Sequence, residues 1–236
     1  MLYIAGPVGP AVIHLTANTR DIRDRFIRLC LGEYRVYSNS DSSDSLGVHS
    51  NSVYKQVGSI WNRYLYRTNS AWYCSRDVGR EDGKFMLLRN SNTADQVPGD
   101  SWEVNKYWYI SQSPTWVPVP SLSMSTGALP QCGVITVHGG GVADGEYEVV
   151  PDQYEFGRHV CRQAVQPYCT LRVWYDGWCV KNGDTVVMRS EYASMCPADP
   201  LCGFGGGVAG CKWKSGGRYD SREEIVVTVQ CSVHRF

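Results

Sequence analysis

Short runs in which apolar and polar side chains alternate fill most of this chain, and they predict β-strands. The clearest covers residues 102–110, where Trp102, Val104, Lys106 and Trp108 fall on one face and Glu103, Asn105, Tyr107 and Tyr109 on the other. That is the period of two expected of a half-buried strand. Further strands are predicted at 33–37, 53–57, 145–150, 159–163, 170–175, 177–180, 185–189 and 224–230, with a hairpin at 64–73; Val, Ile, Tyr and Trp are enriched there and Gly, Asn, Asp and Ser lie between. Lys84 to Arg89 carries the unbroken run Phe85-Met86-Leu87-Leu88, which suggests a strand buried on both faces. One stretch keeps a helical period. Ile22, Phe26 and Leu29 recur at i, i+4 and i+7, while Arg20, Arg23, Arg25 and Arg28 lie on other faces, interleaved with Asp21 and Asp24. This predicts a short amphipathic helix over 19–31, lying on the first sheet with a solvated basic face.

The strand pattern occurs twice. Gly32-Glu33-Tyr34 with Val36 returns as Gly145-Glu146-Tyr147 with Val149, Val53-Tyr54-Lys55-Gln56 as Val160-Cys161-Arg162-Gln163, and Leu65 with Trp72 as Leu171 with Trp178. Three matches in the same order predict two tandem copies of one module. The second copy carries Tyr175-Asp176-Gly177-Trp178, which reads as a type I′ hairpin turn with Asp-Gly at its centre. Between the copies, Pro114, Pro118, Pro120 and Pro130 punctuate a Ser/Thr-rich stretch that reads as an extended, semi-rigid spacer. The expected organisation is an N-terminal segment with a short helix (1–31), a β module (32–112), a linker (113–131) and a Cys-rich β module (132–236). The fold class is mainly β: two homologous antiparallel modules in tandem, stabilised by disulfides.

Composition narrows the partners. With 23 basic and 23 acidic residues and no dense cationic cluster, a nucleic-acid partner is not expected. No run approaches the ~20 apolar residues of a helical membrane span. The ten cysteines are even in number and predict an oxidising compartment. Cys30 and Cys74 fall in the first copy and the other eight in the second and its approach, so each copy could close its own bridges. The loop with Cys196, Cys202 and Cys211 is rich in Pro and Gly and is expected to be stapled. Metal binding explains the thiols less well, because no Cys-x-x-Cys pair occurs and the five His are scattered; no metal and no cofactor are expected. Residues 1–12 lack a basic n-region and are broken by Gly6, Pro7, Gly9 and Pro10, so a secretion signal is expected to have been removed upstream, or the start is a fragment. No Asn-x-Ser/Thr sequon occurs, and N-glycosylation is not expected.

Enzyme signatures are few. There is no Gly-x-Ser-x-Gly, His-Glu-x-x-His or Gly-x-x-x-x-Gly-Lys motif, and the glycine run at 203–210 lies between two cysteines rather than between a strand and a helix. His138, Asp144 and Glu146 could support acid–base chemistry or a cation, with His49, His159 or His234 approaching in space; solvated loop polarity is the simpler reading. The loop 38–45 is oxygen-rich but lacks the acidic spacing of a calcium loop.

Aromatic residues near the two hairpin turns are the stronger candidates. Asn69, Trp72 and Tyr73 in the first copy, and Trp174, Tyr175, Asp176 and Trp178 in the second, combine ring faces that stack on sugars with amide and carboxylate groups that bind hydroxyls. Recurrence at one module position favours core packing for Trp72 and Trp178. Tyr73, Trp174 and Tyr175 are less constrained.

Val53 to Gln56, Arg63-Tyr64-Leu65-Tyr66, Ala71-Trp72 and Asp77-Val78-Gly79 together resemble a small Tyr/Trp-rich β module repeated in secreted and cell-surface proteins of marine invertebrates and protists. The resemblance is close from Gly32 to Trp108 and looser from Gly145 to Trp213, where Cys161 stands in place of the strand tyrosine. It implies an extracellular location and a tandem architecture. The leading functional expectation is recognition of a glycan or matrix component, with avidity from two copies. An enzyme with its site between the modules, built on His138, Asp144 and Glu146, is the second reading. A self-associating matrix or coat protein is the third.

Overall fold

The computed structural model of the 236-residue chain describes residues 10–17, 22, 25–37, 48–68, 71–79, 86–90, 102–105, 115–126, 134–174, 177–190, 213–215, 224–225 and 228–232. The loop 38–45, the glycine run 203–210, His234, Asn69, Tyr175 and Asp176 lie outside the described residues.

Two antiparallel sheets organise the chain. The first contains β1 (Val12–Thr16), β2 (Gly32–Val36), β3 (Val48–Gln56), β4 (Tyr64–Thr68), β5 (Trp72–Ser75), β6 (Met86–Asn90), β7 (Trp102–Asn105), β8 (Trp116–Val119) and β9 (Ser123–Ser125). The second contains β10 (Val134–His138), β11 (Gly145–Glu155), β12 (Arg158–Gln163), β13 (Cys169–Trp174), β14 (Gly177–Asn182), β15 (Thr185–Ser190), β16 (Trp213–Ser215), β17 (Glu224–Ile225) and β18 (Thr228–Ser232). In each sheet the first eight strands pair in chain order, and the ninth returns to the free side of the first: β9 beside β1, and β18 beside β10.

That order requires each sheet to roll up. Laid flat, nine strands at ~4.8 Å spacing would be roughly 38 Å wide. Yet β8 and β9, at opposite edges, are joined by three residues, a link that spans at most about 14 Å. The eighth strand therefore breaks into two halves, one pairing with β7 and the other with β1. The break is a turn in which Leu122 N–H donates to the Val119 carbonyl at 3.0 Å. β17 and β18 repeat the arrangement in the second sheet.

The repeat seen in the sequence falls on matching positions. Tyr34 is paired with Ile13 and Gln56, and Tyr147 with Ile135 and Gln163. Tyr54 faces Leu65 and Cys161 faces Leu171; Trp72 faces Arg67 and Trp178 faces Val173, each two residues beyond the recurring Leu. The glycine that opens each Gly-Glu-Tyr has a positive φ, 127° at Gly32 and 141° at Gly145. At Gly145 a Cβ would also run into the Gln163 amide, whose Nε2 donates to the Asp144 carbonyl. The recurrence thus reflects a backbone conformation and a side chain that fills the space glycine leaves.

Several expectations differ from the structure. The chain divides into compact units made of 1–17 with 32–127, and 18–31 with 128–236. Residues 18–31 therefore cluster with the second unit rather than lying on the first sheet. Their helix is a single turn, α1 (Arg25–Arg28), too short to sustain itself through its own hydrogen bonds. Buried arginines hold the segment instead: Arg28 Nε donates to the Ile22 carbonyl at 2.8 Å, and Arg158 Nη1 to the carbonyls of Leu31 at 3.1 Å and Phe156 at 2.9 Å. Strands β8 and β9 occupy the middle of the Pro-rich stretch read as a spacer.

The disulfide expectation is corrected for half of the cysteines. Cys30, Cys74, Cys161, Cys169 and Cys179 are buried thiols, none joined in a disulfide. Register explains this in the second sheet. Cys161 and Cys169 share the inward face, but they sit diagonally across β12 and β13, where Cα atoms are about 7–8 Å apart, beyond the usual bridging range. Cys179 points to the opposite face, between Arg172 and Arg189. Burial pushes its thiol up to about 12, with the nearby Glu155 charge adding to the shift; burial also raises Cys169. Alkylation in denaturant without reductant should therefore label at least these five cysteines. In native protein at pH 8 Cys179 should stay unmodified, because only roughly one thiol in ten thousand is thiolate there. Mass mapping checks both, and fewer than five labelled cysteines would return the bridges to the core.

Candidate functional site

The equivalent hairpins β4–β5 and β13–β14 position the aromatic candidates. Thr68 pairs with Ala71 through the Thr68 N–H to Ala71 carbonyl bond of 2.9 Å, and Trp174 pairs with Gly177 in register. Each hairpin therefore turns through two residues, 69–70 and 175–176. This moves the second turn one residue back from the Asp-Gly centre read in the sequence. Gly177 lies in the strand and is there for space: a Cβ would collide with the Ser190 carbonyl oxygen.

Strand alternation then separates the candidates. Trp72 and Trp178 point inward and are 3% and 2% exposed, so neither offers a ring face to solvent. Tyr73 is outward but buried in a cluster with Val53, Tyr66 and Ala71, its ring 5.9 Å from that of Tyr66. Trp174 is outward and half-buried. The structure thus groups Tyr73 with one face, Trp174 with another, and the two recurring tryptophans with neither.

The outward face around Trp174 is strongly polar. Along β13 the residues on its side are Arg172 and Thr170, and across the register lie Cys179 and Lys181 on β14, then Arg189 on β15 and Lys214 on β16. Lys181 Nζ stands 5.8 Å from the centre of the Trp174 ring. Arg172 is held by Glu155 through two bonds, Nε to Oε2 at 2.7 Å and Nη2 to Oε1, and this hydrogen bonding raises the guanidinium above its ordinary value. Sequence reasoning selects Trp174 and misses Arg172, Lys181 and Arg189. Once Leu171 and Val173 are read as inward, alternation and the two-residue turn would find them.

The outward face of the first sheet has a related make-up. Tyr37, Tyr64 and Trp116 pack half-buried against the Tyr66–Tyr73 cluster. Lys55 Nζ lies 5.5 Å from the Tyr37 ring and 5.7 Å from the Tyr64 ring, and the Arg89 guanidinium lies 4.4 Å from the Trp116 ring. Burial, followed by the neighbouring Tyr37, raises the Tyr64 hydroxyl, so this ring stays neutral at physiological pH.

The suspected acid–base trio has other tasks or none in view. Asp144 Oδ1 accepts the Gly140 N–H at 2.6 Å and so braces the 3₁₀ turn at Gly141–Ala143. His138 and Glu146 are exposed, and the His159 ring packs on Tyr154 at 4.4 Å. The side chain of His49 lies outside the described residues. Among the described residues no three His, Cys, Asp or Glu side chains gather as metal ligands. A pair missed in the sequence is His14 and Glu33, both buried, with Nε2 and Oε2 3.6 Å apart. The neighbouring His14 side chain, opposed by burial and aided by Arg35 at 2.8 Å, holds the Glu33 carboxyl below its ordinary value. The second sheet has Thr136 and Glu146 at these positions, so the pair is particular to the first.

No helix among the described residues is long and apolar enough to cross a membrane. No protein-family model matches this sequence, and no curated protein and no solved structure matches it either.

Proposed function

We propose that this chain is a secreted, lectin-like recognition protein that binds carbohydrate, as a free glycan or within extracellular matrix, on the outward faces of its sheets. The observation that carries the reading is the half-buried Trp174 ring beside Thr170, Arg172 and Lys181. A sugar needs an apolar face to cover its C–H groups and a few fixed donors for its hydroxyls; this arrangement supplies both on a sheet, where side chains are pre-positioned. Half-buried rings under cations on the first sheet's outward face support a second contact, so that modest single-site affinities add through linkage. Unbridged thiols are compatible with an extracellular location, because burial suppresses the thiolate through which oxidation proceeds.

Trp174→Ala should weaken glycan retention by roughly tenfold or more, about 1.4 kcal/mol of lost affinity, without changing the thermal midpoint much, since the ring is only half-buried. Glycan-array binding and a melting curve measure the two effects. Unchanged retention would remove this face from the proposal, and collapse of the fold would show the ring to be core.

A further inference from the structure

Resting on that carbohydrate reading, we infer that the second sheet's outward face takes an acidic glycan, one bearing carboxylate or sulfate, with Lys181 as the group that selects for the anion. The described outward positions carry the cations Arg162, Arg172, Lys181, Arg189 and Lys214 and the carboxylates Glu146, Glu148, Glu155 and Glu224. Glu155 grips Arg172 through both oxygens, and Glu148 stands directly opposite Arg162 in register.

Lys181 is the cation set beside the Trp174 ring. Its cross-strand neighbours are Thr170 and Val186, and among the described residues no carboxylate lies within ion-pair distance of it. Its ammonium rests over the Trp174 ring, a contact worth only about 0.5–1 kcal/mol at an exposed site. A charge-assisted bond to a carboxylate or sulfate is stronger. Moving the ammonium from ring to anion also uncovers the ring face on which a sugar would stack. At the matching register of the first sheet the positions of Trp174 and Lys181 are held by Thr68 and Ser75.

A polynucleotide would also present anions beside stackable rings, but a phosphate track needs a line of cations unbroken by carboxylates, and the described outward positions interleave Glu146, Glu148, Glu155 and Glu224 with the cations. The favoured ligand is the acidic sugar.

The test uses the full chain against four immobilised polymers: polygalacturonate for carboxylate, dextran sulfate for sulfate, dextran as a neutral sugar, and oligo-dT. Tighter retention on one or both acidic sugars, weakened by salt, is expected. Lys181→Gln should cut that retention roughly tenfold, the scale of one lost charge-assisted contact, and weaken dextran binding far less, since a neutral sugar loses one hydroxyl donor and no ion pair; Lys181→Arg should restore most of the acidic-sugar retention. Which acidic polymer binds identifies the anion. Equal retention on dextran and the acidic sugars, both lost in Trp174→Ala and indifferent to Lys181→Gln, would overturn the inference and leave the carbohydrate reading standing. No retention on any sugar would overturn both, and preference for oligo-dT would replace them with a nucleic-acid face.

Discussion

Trp178→Ala is expected to destabilise the second unit by about 3–5 kcal/mol, the range for removing a buried tryptophan. The ring is 2% exposed and points inward beside Val173, and the backbone N–H of Trp178 is anchored to Ser190 Oγ at 2.8 Å. Neither neighbour can fill the vacated volume: Val173 is small, and the Ser190 hydroxyl is already engaged. Since whole domains are stable by only about 5–15 kcal/mol, the variant should lose much of the second unit's stability. Trp72→Ala should act similarly on the first unit, because Trp72 occupies the matching register and is also buried. Urea denaturation followed by far-ultraviolet circular dichroism would show one transition moved to lower denaturant in each variant. A midpoint that stays within a few tenths of a molar would mean that the ring is not core. The contrast with Trp174→Ala, which should spare stability and weaken binding, separates packing from recognition within one hairpin.

That contrast marks what is legible without the structure. The repeat can be read because its residues answer to local geometry: a positive φ at Gly32 and Gly145, a Gln opposite each Tyr, and a Trp facing the residue two beyond a Leu in a tight hairpin. The core role of the recurring tryptophans follows from the same logic. Trp174 stands out as a ring near a turn, but its charged neighbours come from β14 and β15. They are visible only when the pairing register is known, and the register depends on placing the turn at 175–176. Propensity puts Asp-Gly at the centre, yet Gly177 is required by contact with Ser190 instead.

The remaining differences have tertiary causes. Pro118 and Pro120 suggest a spacer, yet Pro118 lies in β8 opposite Glu103, on a half-strand that pairs on that side with β7 alone. A proline is tolerated where the missing N–H has no ladder to join. The segment at 19–31 has a helical apolar period, but its carbonyls are taken by its own Arg28 side chain and by Arg158 from β12, and among the described residues it forms one turn of helix. An even cysteine count suggests bridges, and counting cannot reveal that Cys161 and Cys179 face opposite sides of their sheet.

Gly177→Ala tests the structural side of the proposed site, and its expected cost is about 3 kcal/mol, the upper end for inserting a single group into filled space. The obstacle is backbone: the Ser190 carbonyl oxygen cannot rotate away as a side-chain tip could. To admit a methyl group, β15 must move from β14 at the pair that anchors the Trp178 N–H to Ser190 Oγ. Gly183→Ala is the control. Gly183 has a φ of 57°, and a Cβ added there would meet nothing within 4 Å, so alanine should cost only about 1 kcal/mol of left-handed strain. Equilibrium denaturation should rank Gly177→Ala well above Gly183→Ala. The Gly177 variant should also lose glycan retention while still partly folded, because Gly177 is the direct partner of Trp174 and its displacement shifts that ring relative to Lys181. The reverse ranking would show that backbone conformation, rather than strand contact, fixes glycine in this hairpin; full retention by Gly177→Ala would show that the ring's position on the strand does not govern binding.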